Sequence, residues 1–77
     1  MYKELVEHIV QGLVDHPDQV KVEEVRGESA IILELSVNES DMGRVIGKSG
    51  KVVNSVRTIL QALAAKNGNR VTLEIVS

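Results

Sequence analysis

Gly47-Lys48-Ser49-Gly50 is the segment of this 77-residue chain whose residue types and spacing suit chemistry with an anion. Glycine has no Cβ, so the backbone can turn tightly and come close to a ligand. A helix that starts directly after such a turn aims its first N–H groups outward, without carbonyl partners of its own. Lys48 and Lys51 place ammonium groups beside them. Spare N–H groups at a helix start with lysines alongside suit a phosphate.

Other constellations are weaker. Gly43-Arg44-Val45-Ile46-Gly47-Lys48-Ser49 resembles the phosphate-binding G-x-x-x-x-G-K-[ST] loop but is one residue short, with Met42 where the first glycine belongs. That loop also follows a strand, whereas this stretch follows a helical pattern, which argues against nucleotide hydrolysis. His8 and His16 stand apart, with no cysteine in the chain to help close a metal site; both are expected to be exposed. Glu23 and Glu24 are adjacent in a strand pattern and point to opposite faces, so they cannot act as a carboxylate pair. No serine has a plausible base nearby. Neither catalysis, a metal nor a cofactor is expected.

The elements that must position the glycine turn are legible from periodicity. Leu5, Val6, Ile9, Val10, Leu13 and Val14 recur at helical spacing, predicting a helix from Tyr2 to about Asp15, stopped by Pro17. Val20 to Val25 reads as a strand whose alternation slips between Val22 and Val25, the mark of a bulge or an early end. Gly27-Glu28-Ser29 is a turn, and Ile31, Leu33, Leu35 and Val37 give a second strand, antiparallel to the first. Asn38-Glu39-Ser40-Asp41 is rich in N-cap residues and should open a short helix ending at Gly47, with Met42, Val45 and Ile46 inward. A longer helix is expected over about Lys51 to Lys66, ended by Asn67-Gly68-Asn69. Val71, Leu73 and Ile75 alternate in a last strand. The fold class is α+β, in the order α-β-β-α-α-β. The two-helix crossover permits the last strand to pair parallel to the second, giving a three-stranded mixed sheet with helices on one face.

Charge is divided along the chain. Residues 1–42 carry three basic side chains against ten acidic ones, a net of −7; residues 43–77 carry six against one, a net of +5. The second half therefore offers a basic face, and within about 8 Å at physiological salt such local charge outweighs the net −2. Tyr2 is the one aromatic residue, which weighs against modes that stack bases on aromatic platforms. No apolar run has the length of a membrane span, and the N-terminus begins an amphipathic pattern instead of a signal peptide. The chain reads as one complete cytoplasmic domain over residues 1–77, with no membrane association.

A helix–GxxG–helix unit in this element order resembles a KH domain of type II topology over nearly the whole chain. More narrowly, Asp41-Met42-Gly43-Arg44-Val45-Ile46-Gly47-Lys48-Ser49-Gly50-Lys51, with Arg57-Thr58 on the next helix, is similar to the small stand-alone bacterial KH proteins of the KhpA type. The resemblance implies single-stranded RNA binding, as an RNA chaperone or post-transcriptional regulator, with the GxxG turn clamping the sugar–phosphate backbone of about four nucleotides. On that basis Gly47 and Gly50 permit the backbone path, and Lys48 and Ser49 face phosphates. Val45, Ile46 and Val53 are expected in the base-binding groove or its floor. Lys51 and Arg44 are the further basic contacts expected from their position. The resemblance also implies a homodimer, a heteromer with a larger KH-domain protein, and a role linked to cell growth or shape. The competing reading is a protein–protein or dimerisation module with RNA binding secondary, favoured by the wide apolar stripe of the first helix.

Overall fold

The computed structural model describes residues 2–76, the side chains of Lys48 and Ser49 excepted. Helix α1 spans Tyr2–Gln11, strand β1 Lys21–Arg26, strand β2 Ile31–Ser36, helix α2 Met42–Lys66 and strand β3 Val71–Ile75. Single 3-10 turns at Pro17–Gln19 and Glu39–Asp41 precede β1 and α2.

Helix α1 ends four residues before the expected Asp15. Gly12, a poor helix former, donates to the carbonyls of both His8 and Ile9, so the helix closes there, ahead of Pro17. Its apolar stripe buries Tyr2, Val6 and Val10. The Tyr2 hydroxyl accepts from the side-chain amides of Asn67 and Asn69 at 3.1 and 3.2 Å, tying the first residues to the end of α2 and holding the phenol below its ordinary pKa.

The sheet has the order β1-β2-β3, with β1 antiparallel and β3 parallel to β2. This is the expected mixed sheet. The expected bulge is absent: pairing runs unbroken from Lys21↔Ser36 to Arg26↔Ile31. Val25 breaks the hydrophobic alternation because it lies on the open face of the sheet, exposed, opposite Ile32. On the covered face, Val22, Leu33, Leu35, Val71 and Leu73 meet Val53, Val56, Leu60 and Ala64 of α2 and Val6 and Val10 of α1 in one core. On the open face, register sets Glu23, Glu34 and Glu74 side by side across all three strands.

The two helices expected around the glycine turn are one assigned span, Met42–Lys66. Its discontinuity is local: Gly50 has φ +68°, a left-handed residue within a right-handed helix. An L side chain there costs about 1–2 kcal/mol, so a glycine makes this change of direction with least strain. Gly68, at φ +74°, ends the helix in the same conformation, as its Asn-Gly-Asn setting predicts.

Candidate nucleic-acid interface

The start of α2 is fastened to the loop after α1 by one buried carboxylate. Asp41, 1% exposed, accepts from the backbone N–H of Asp15 at 3.2 Å and of His16 at 3.0 Å, and contacts the His16 ring at 3.1 Å. Burial pushes its pKa upward, but these hydrogen bonds and the adjacent imidazole outweigh burial, so the carboxyl sits below its ordinary value. A sequence reading assigns Asp41 to helix capping. The capping is done one turn earlier by Asn38, whose side chain accepts from the Ser40 N–H at 2.8 Å. The Asp41 partners lie 25 and 26 residues back in the chain, beyond any local pattern. His16 is accordingly engaged and only half exposed, against the expectation of a free surface histidine.

From this anchored start the helix carries the glycines and cations. Gly47 lies within the helical span, and a Cβ built there would meet nothing within 4 Å. At Gly50 it would come no closer than 3.8 Å to the Asn54 side chain. Space on the protein side therefore does not demand glycine at either position; only the backbone of Gly50 does. Lys51 is exposed. Arg44 is exposed and donates to Asp15 at 3.3 Å, an ion pair of little strength at such exposure. The side chains of Lys48 and Ser49 lie outside the described residues.

The apolar residues expected in the groove divide. Ile46 is 43% exposed beside the glycine turn. Val45 and Val53 are buried in the core, so they support the turn from beneath and present almost no surface. The inward set expected for the first part of α2 is corrected to Val45: helical spacing turns Ile46 outward, and Met42 is half-buried.

Among the described residues, α2 borders a groove on either side. One, about 490 Å³, lies between α1 and α2 and is lined by Ile9, Leu13, Val52, Val56 and Ile59, with Arg44 and Lys51 beside Gly43 and Gly47. The other, about 380 Å³, lies between the last turns of α2 and the start of β3, and includes Gln61, Asn69, Arg70 and Thr72. Between that groove and the glycine turn stands Arg57. Its Nε and Nη2 donate to the Leu73 carbonyl at 3.1 and 2.9 Å, and its Nη1 to Asn54 Oδ1 at 3.5 Å. Among the described residues, no cluster of histidine and carboxylate side chains could hold a metal, and no helix is long and apolar enough to cross a membrane.

Comparison with known proteins agrees with this architecture. The family model described as the KhpA/KhpB KH domain matches residues 3–75. A protein of Clostridium acetobutylicum named RNA-binding protein KhpA is 51% identical over 74 residues, which are 96% of this chain and 99% of the relative. Proteins of the same name from Borreliella burgdorferi and Aquifex aeolicus are 49% and 45% identical, covering 95% and 96% of this chain and 89% and 94% of the relatives. These relatives are named as binding proteins, not as enzymes. No solved structure gives a significant match.

Proposed function

The chain belongs to the KhpA/KhpB KH-domain family, and from that premise we propose that it binds single-stranded RNA through the Gly47–Gly50 turn. The observation that carries this reading is the pair of glycines. Gly47 has open space where a side chain would sit, and Gly50 has a left-handed backbone. Both keep the main chain bare where Lys51 and Arg44 bring positive charge, which is what a phosphate chain needs for close approach. Gly47, Lys48, Ser49, Gly50 and Lys51 hold the sugar–phosphate backbone, Arg44 extends the basic surface, and Ile46 offers apolar contact to a base, with Val45 and Val53 beneath. The open sheet face, with Glu23, Glu34 and Glu74 in a row, repels a polyanion and leaves the helical side as the approach.

Such binding is cytoplasmic RNA regulation or chaperoning, without chemical change to the RNA. A few phosphate contacts give a shallow salt dependence, a log–log slope of roughly −0.7 per phosphate. Single-domain affinity is then low, and a second copy raises it through effective concentration. The exposed Leu13 and Ile59 beside the apolar α1–α2 groove favour a homodimer or a heteromer with a larger KH-domain protein.

The test is the double substitution Lys48→Asp with Ser49→Asp, checked for fold by circular dichroism and titrated with short single-stranded RNA. Loss of binding with an unchanged melting curve is expected. A folded variant that binds RNA like the parent would refute the role of the turn.

A further inference from the structure

Strand β3 is an edge strand, and its open edge is defined by the ladder. Ile31 donates to the Arg70 carbonyl, and Val76 donates to the Leu35 carbonyl. In a parallel ladder with this register, alternate residues Arg70, Thr72, Glu74 and Val76 turn their backbone groups to β2. Val71, Leu73 and Ile75 turn theirs to the open edge. The central outward carbonyl, that of Leu73, already accepts two N–H groups from Arg57. Both of its lone pairs are therefore taken. The Leu73 N–H on the same edge is a donor.

Arg57 is reached from the glycine turn along one stripe of α2. Gly50, Asn54, Arg57 and Gln61 follow at spacings of four, three and four residues. Asn54 lies beside Gly50 and accepts from Arg57. Gln61 lines the groove against β3. A base that reaches from the turn along this stripe meets Asn54 and Arg57 on its way to the β3 edge. A guanidinium has five N–H donors; three are used, leaving one on each terminal nitrogen. The edge offers donors where its central acceptor is blocked.

We propose that Arg57 is a specificity-determining residue, which makes the surface between the glycine turn and the β3 edge prefer a guanine over an adenine next to the nucleotide held by the turn. This rests on the RNA-binding reading above. Guanine presents two neighbouring acceptors, O6 and N7, to the two remaining guanidinium N–H groups. Adenine presents the N6 amino group as a donor, and the central strand-edge acceptor beside Arg57, the Leu73 carbonyl, is already taken by two N–H groups.

The experiment measures binding of uridine hexamers carrying one central guanosine, one central adenosine or neither, by fluorescence anisotropy, for the parent chain and for Arg57→Lys and Arg57→Gln. The parent is expected to prefer the guanosine hexamer about fivefold or more, the lower end of what a bidentate arginine contact supplies. Arg57→Lys keeps the charge but lacks the fork, so the guanosine and adenosine hexamers should come within about twofold of each other. A parent that binds all three hexamers equally overturns the inference and leaves the RNA reading intact. So does an equal loss on all three in the variants. Self-association of the variants in sedimentation, with the guanosine preference kept, assigns Arg57 instead to guarding the strand edge against pairing. If no hexamer binds the parent, the RNA reading fails and this inference with it.

Discussion

Gly47→Ala separates what the fold needs from what a ligand needs. Gly47 lies inside α2, its φ is not left-handed, and a Cβ would touch nothing within 4 Å. The protein alone therefore gains from the substitution: alanine in place of glycine in a helix interior stabilises by about 0.8–1.0 kcal/mol. For a domain of this size, that raises the melting temperature by about 4–8 °C. Gly50→Ala is the control with the opposite sign. Its Cβ also has room, but φ +68° makes any L side chain costly, by about 1–2 kcal/mol. Binding should fall in both variants. At Gly47 the new methyl group holds a phosphate off the backbone, and loss of one hydrogen bond to a charged oxygen, about 1.5 kcal/mol, weakens binding roughly tenfold. Thermal melts by circular dichroism and anisotropy titrations with one RNA give both quantities. A lower melting temperature for Gly47→Ala would show that the fold requires this glycine. A higher one with RNA affinity unchanged would show that no ligand approaches it, and the case for the turn as the site would fall.

Two further perturbations follow from the same geometry. Glu34 sits between Glu23 and Glu74 on the open sheet face; each like-charge neighbour costs about 0.2–1 kcal/mol. Glu34→Thr should therefore raise the melting temperature in low salt by several degrees, with the gain shrinking at high salt; an unchanged or lower value would mean the three carboxylates do not strain the sheet. Asp41→Asn should lower stability at neutral pH, because the carboxylate that binds the Asp15 and His16 N–H groups and faces the His16 ring loses its charge. The parent's Asp41 pKa is depressed, so its contribution is complete above the ordinary aspartate value near 3.9 and is lost as pH falls through the depressed one. The gap between parent and variant, followed by denaturant melts from pH 7 downward, should narrow only below about pH 4; a gap independent of pH down to 2 would remove the charge from the explanation.

What local pattern determines was readable from the chain. The two-residue periodicity placed all three strands, and the 3.6-residue periodicity placed α1 and the long part of α2, because each element must bury one apolar face; that the helices on either side of the glycine turn join into one span was not readable from it. The short β1–β2 link called for antiparallel pairing and the long crossover to β3 permitted the parallel pairing that the sheet has, since only a long connection returns a chain in the same direction. Gly50 and Gly68 were readable as turns because glycine makes left-handed backbone inexpensive. The ends of elements were less legible. Gly12 closes α1 before Pro17 does, and Val25 faces outward instead of marking a bulge.

The rest was decided by contacts between residues distant in sequence. Asp41 looks like a helix cap until the Asp15 and His16 N–H groups are brought to it from 25 and 26 residues away. Arg57 looks like a solvated helix cation until β3 arrives 16 residues later with the Leu73 carbonyl turned to its open edge. Sequence sets which groups can pair and how the local backbone can bend, because those are short-range properties. Which buried carboxylate meets which amide, and which arginine reaches which carbonyl, depends on how the sheet and helices pack, and packing fixes those positions only once the whole core has closed.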